Sequence, residues 1–135
     1  MGQQQLLLIV LGVIIVGIAV VVGINVFTAS SVNSNRDAVI ADLTTLASMA
    51  QQYYRKPIAM GGGGQSFDAS TGTGGAAWAI PAQLQSTANG NYTLTSGAQS
   101  ITLVGKGTEV VSGTDTVQVT MVVGPSAITS TTINH

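Results

Sequence analysis

The first thirty-five residues of the chain contain no Asp, Glu, Lys, Arg or His. Within them, Leu6 to Phe27 is apolar apart from Asn25 and the three glycines Gly12, Gly17 and Gly23. As a helix this run is about 33 Å long, enough to cross a hydrocarbon core of roughly 30 Å. A helix that is apolar on every side needs lipid or the interior of a helix bundle around it. Whatever the rest of the chain folds into must therefore be built beside a segment that water rejects.

The run does not have the layout of a secretory signal peptide. No Lys or Arg precedes it, it exceeds the 7–15 apolar residues typical of such a core, and the residues that follow read as more helix. A plain single-pass anchor is the simplest alternative. From Val32 the pattern changes: Val39, Leu43, Leu46, Ala50 and Tyr53 or Tyr54 recur at steps of three and four. Asp37, Ala41, Thr44, Thr45, Ser48, Gln51, Gln52 and Arg55 fall largely on the other side, as in an amphipathic helix. Arg55 and Lys56 suit the negative end of the helix dipole, and Pro57 with Gly61 to Gly64 ends the helix. One helix of about fifty residues follows from this pattern. A pair of helices bent near Ser30 to Asn35, with Ser34 or Asn35 capping the second, stays open.

The remainder reads as strands and turns. "GGGGQSFDASTGTGG" is a loop with Phe67 as its anchor, and "AAWAIPAQLQSTANG" is a connection that lays Trp78, Ile80 and Leu84 on the helix. "NYTLT", "QSITLVG", "GTEVV" and "DTVQVTMVVG" are short, alternating and β-branched, separated by "SGA", "GKG" and "SGT". In the last of these, Val117, Val119, Met121 and Val123 share a face. "SAITSTTINH" adds an edge strand. The expected fold class is α+β, a long N-terminal helix packed on a small C-terminal antiparallel sheet. Four stretches follow: the apolar helix over 1–29, its amphipathic continuation over 30–57, a Gly/Ser/Thr-rich loop and connection over 58–90, and the sheet over 91–135. A head this small, without a cysteine to cross-link it, has a thin core and leans on the long helix and on neighbouring copies.

Composition excludes several functions. Charged residues are 7% of the chain and the net charge is -1, so a nucleic-acid partner is not expected. The absence of cysteine removes thiol catalysis, disulfides and iron–sulfur ligation. The single histidine, His135, is the last residue and a poor member of a catalytic triad. Asp68, Glu109 and Asp115 are isolated carboxylates, "DASTGTG" lacks the ligands of a calcium loop, and "GGGGQS" lacks the Lys-Ser/Thr of a phosphate loop. "QQYYRKP" reads as a helix end with dipole-matched cations rather than a DNA contact. Phe27, Tyr53, Tyr54, Phe67, Trp78 and Tyr92 are too scattered to conduct electrons. Asn91-Tyr92-Thr93 fits a glycosylation sequon, and the many Ser and Thr permit O-glycosylation. No enzyme activity, cofactor or metal is expected.

The layout resembles that of type IV pilins and pilin-like proteins of bacteria. "QQQLLLIVLGVIIVGIAVVVGI" runs into an amphipathic helix, and "NRDAVIADLTTLASMAQQYYRKP" is followed by "GGGGQSF". The resemblance implies a structural subunit held in the inner membrane by its apolar helix. An assembly machinery then extracts it and stacks it into an extracellular filament, an adhesion or motility appendage, with these helices as the core. The implied assembly surface comprises Met1, Gln5, Leu6, Leu7, Leu8, Gly12, Ile14, Gly17, Val20, Gly23 and Phe27. Two features depart from the family. The chain shows no basic leader, so an omitted leader, a cut after Gly2 and no cut at all stay open. Gln5 stands where the family has a glutamate, and an amide cannot neutralise a neighbour's N-terminal amine. A pseudopilin-like part of a secretion or uptake machine, or a single-pass anchored binding module, is the alternative expectation.

Overall fold

The structure, a computed structural model, describes residues 2–71 and 75–135. One unbroken helix, α1 (Gly2–Arg55), carries both the apolar run and the amphipathic stretch. The bend near Ser30 to Asn35 does not occur. Thr28 there turns its hydroxyl inward to the carbonyl of Ile24, at 2.9 Å, which keeps a polar side chain compatible with the helix. Asn35, a candidate cap on sequence, serves a tertiary role instead. Its Oδ1 accepts from the backbone N–H of Thr108 (3.1 Å) and Glu109 (3.4 Å), and its Nδ2 donates to the carbonyl of Asn89 (2.9 Å).

The end of α1 is closed by the glycine run. The backbone N–H groups of Gly63, Gly64 and Gln65 donate to the carbonyls of Tyr53, Lys56 and Tyr54 at 2.8–2.9 Å, filling acceptors that a helix C-terminus leaves unpaired. Short 3₁₀ turns follow at Ile58–Met60 and Ala69–Thr71, and a single helical turn, α2, at Ala82–Gln85. Phe67 is fully buried with its ring 4.8 Å from that of Tyr54. Trp78 and Ile80 are buried and Leu84 is half-buried against the same core, as the sequence indicated.

The sheet is a four-stranded antiparallel meander, β1 (Gly90–Ser96), β2 (Ile101–Ser112), β3 (Asp115–Val123) and β4 (Ile128–Ile133), in the order β1-β2-β3-β4. It packs on α1 chiefly through β2 and β3. The core lies between them: Val39, Leu43, Leu46 and Ala50 from the helix meet Ile101, Leu103, Val117, Val119, Met121 and Val123 from the sheet. Alternate residues of β3 are buried, as period-2 patterning requires.

In one respect the strands differ from the sequence reading. "QSITLVG" and "GTEVV" are a single strand, β2, which runs straight through Gly105-Lys106-Gly107. These glycines do not make a turn; they lie under the helix. A Cβ on Gly105 would stand 2.7 Å from Cγ1 of Val39 and 3.0 Å from the Tyr92 ring, and one on Gly107 would stand 2.0 Å from Oδ1 of Asn35. The helix crosses β2 too closely for any side chain there, so glycine is demanded by packing rather than by chain reversal. Beyond Lys106 the pairing with β3 shifts register, a bulge that carries the end of the hairpin onward.

Candidate assembly surface

Among the described residues, no buried side chain belongs to the first half of α1. Every residue from Gly2 to Ser30 is exposed, and seventeen large apolar side chains from Leu6 to Phe27 are each more than half exposed. Soluble monomers rarely leave a contiguous apolar patch beyond roughly 300–600 Å². A stretch of this size in contact with water forgoes roughly 1.5–3 kcal/mol for each large side chain that lipid or a partner could bury. The helix is long and apolar enough to cross a membrane, with none of its most apolar window buried in the protein itself.

Helix geometry sorts the expected interface residues into faces and adds two small residues, Ala19 and Ser30, that were not among them. At about 100° per residue, Gln5, Gly12, Ala19, Gly23 and Ser30 fall within a strip roughly 40° wide. Val32, Val39, Leu43, Leu46 and Ala50, which meet the sheet, lie on the opposite side. The small residues thus face away from the head, where another helix can approach without colliding with it. Among the described residues, nothing stands within 4 Å of a Cβ built on Gly12, Gly17 or Gly23. Gly17 is not part of this strip; it lies about 140° around the helix. Leu6, Leu7, Leu8, Ile14, Val20 and Phe27 are 53–75% exposed and spread around the whole circumference. Met1 lies outside the described residues. The strip of Gln5, Ala19 and Ser30 with the glycines is legible from helical spacing, although Ser30 does not stand out in an apolarity count.

A second polar arrangement was not visible in the sequence. One carboxylate oxygen of Asp42, Oδ2, accepts from Tyr92 Oη at 2.6 Å, Asn89 Nδ2 at 3.0 Å and Thr87 Oγ1 at 3.2 Å. Burial pushes the Asp42 carboxyl up, but the three hydrogen bonds together outweigh it and hold the group below the usual carboxylate value of 3.8. Burial, and next the Asp42 carboxylate, push the Tyr92 hydroxyl up. The residues are 45 to 50 positions apart in the chain, so no local spacing announces the group. It clasps the entry to β1 onto α1, and so holds the head on the helix that carries the apolar surface.

The other candidate groups stay apart. Among the described residues no three His, Asp or Glu side chains come together as a metal site would require. Asp68 accepts from the Ser70 hydroxyl, while Glu109 and Asp115 sit in the β2–β3 hairpin. Tyr53 donates to the carbonyl of Ala76 and Tyr54 to Gln99 Oε1 at 2.8 Å, so "QQYYRKP" is tied into the head. Comparison with protein-family models, with curated proteins and with solved structures gives no match.

Proposed function

We propose that the chain is a structural subunit that self-assembles through α1 into an extracellular type IV pilus-like filament. Its partners are further copies of itself, the inner membrane before assembly and a pilus assembly machinery. One observation carries the reading: a single unbroken helix is bare and apolar over its first half and packed into the head over its second. Lipid satisfies the bare half in the membrane. Outside lipid, only burial among like helices does so, at roughly 1.5–3 kcal/mol for each large apolar side chain kept from water. The strip of Gly12, Ala19 and Gly23 opposite the head supports close approach of helices, where packing rather than hydrophobic transfer drives association in lipid. Gln5 lies on the same strip and offers hydrogen bonds, not charge neutralisation, for registering neighbours.

The test is Ile14→Lys. Lys at a helix centre costs about 2.5–3.5 kcal/mol on insertion scales, so much of the subunit still reaches the membrane. In a dry filament core the unpaired ion costs several kcal/mol and recurs in every subunit, so assembly fails first. Membrane-bound subunit and sheared fibre are measured separately, the fibre by electron microscopy. Wild-type levels in both pools overturn the reading. A wild-type chain that makes no fibres and stays monomeric in detergent points instead to an anchored binding module.

A further inference from the structure

The β2–β3 hairpin does not stop where the core stops. Asn35 holds the strand at Thr108 and Glu109. Two residues on, about 7 Å further along the strand, Val111 lines a depression with Asn25, Thr28, Ala29, Val32 and Asn33. The hairpin therefore runs back down the helix to the turn that follows the apolar run, Thr28 to Val32, with Asn25 at the lower edge of the depression. Val110 and Val111 are 48% and 40% exposed there, and the closing residues Ser112, Gly113 and Thr114 are uncharged. The other two hairpin turns lie at the far end of the head. Gln99 there meets Tyr54, and the carbonyl of Gly124 accepts from Gln51.

We infer that the tip of this hairpin, Val110 to Thr114, is a second membrane contact, resting on the lipid surface beside α1 when the subunit is anchored. The inference rests on the reading of α1 as membrane-spanning. The Leu6–Phe27 run is about 33 Å long against a hydrocarbon core of roughly 30 Å. When the run fills the core, Asn25 to Ala29 stand at its edge, and the tip beside them meets the interface. Two exposed valines and a neutral turn suit that zone; the charges that flank the tip in the chain, Glu109 and Asp115, are acidic and give no attraction to anionic lipid, and the neighbouring Arg36 is engaged with Asn33 at 3.2 Å. The contact is therefore apolar and independent of headgroup charge. With one end of the head on the lipid, the helix and hairpin together limit how far the head tilts and how deep α1 sinks.

The chain has no cysteine, so single-cysteine variants of the full chain can each carry one fluorophore. Val110→Cys, Val111→Cys, Ile14→Cys and Ala98→Cys are labelled and placed one chain per nanodisc of phosphatidylcholine, with and without brominated acyl chains. Brominated lipid should quench the label strongly at 14, clearly at 110 and 111, and not at 98, with the same result when a third of the lipid is phosphatidylserine. Quenching at 14 but not at 110 and 111 overturns the inference and leaves the span intact. Absence of quenching at 14 removes the span and the inference with it. Shielding of 110 and 111 from aqueous iodide in assembled fibres alone, without lipid quenching in the discs, assigns the tip to a second copy and overturns the lipid contact.

Discussion

Replacing Gly105 with Ala tests whether α1 lies directly on β2. The new methyl carbon would stand 2.7 Å from Cγ1 of Val39 and 3.0–3.1 Å from two carbons of the Tyr92 ring. Comfortable carbon–carbon separations are about 3.5–4.0 Å, so one neighbour has to move by about 1 Å. Neither moves freely. Val39 is fully buried and stiff at χ1 in a helix, and the Tyr92 ring is tethered through its hydroxyl to Asp42 at 2.6 Å. Overpacking of this kind costs about 1–3 kcal/mol, offset by about 0.4–1 kcal/mol from the smaller conformational freedom of the unfolded chain. Because a 2.7 Å approach to a fully buried side chain puts the cost in the upper part of its range, the net loss is about 1–2 kcal/mol, read as a lower midpoint in guanidinium unfolding of the full chain in detergent micelles. The single tryptophan, Trp78, is buried in the core and reports the transition. Val39→Ala removes the obstructing methyls, so the double variant should lose less than the sum of the two single changes. An unmoved or raised midpoint, or strict additivity with Val39→Ala, would show that Gly105 lies in a free turn.

The Asp42 clasp gives stability a pH signature at both ends. The folded carboxyl titrates below its ordinary 3.8, so its contribution is complete above that value and disappears as pH falls through the lower, folded one. The Tyr92 hydroxyl titrates above its ordinary 10.0, so its contribution is complete below that value and disappears as pH rises through the higher, folded one. Tyr92→Phe should cost about 1 kcal/mol near neutrality and flatten the acid limb of the unfolding midpoint; an acid limb unchanged from wild type would refute the clasp. Gly23→Leu should leave membrane insertion intact, since Leu is apolar and favours helix by about 0.5–1 kcal/mol over Gly. It should nonetheless lower fibre yield or alter subunit spacing, and Gly17→Leu, on another side of the helix, should give a different spacing change or none. Fibres of wild-type spacing from Gly23→Leu would show that the strip opposite the head is not a helix contact.

What the sequence determined by itself is the part governed by local periodicity and by solvent. An apolar run of this length without a charge satisfies its backbone within itself only as a helix, and the three-and-four spacing of Val39, Leu43, Leu46 and Ala50 marks one face for burial. The alternation of Val117, Val119, Met121 and Val123 likewise has one reading, because successive strand residues point to opposite faces. Tertiary structure decided matters that depend on which distant residues meet. Gly105-Lys106-Gly107 has the composition of a turn, and only the crossing of α1 over β2 makes the glycines a packing requirement within a strand. Asn35 has the composition of a helix cap, yet with the helix unbroken its side chain is free to hold β2. Asp42 carries no signal in its neighbourhood, since its three donors arrive from residues 87–92 only when the sheet closes on the helix. The level at which Val111 stands beside Asn25, Thr28 and Ala29 is likewise a property of the closed fold, because strand rise and helix rise differ and the Asn35 contact sets their common origin.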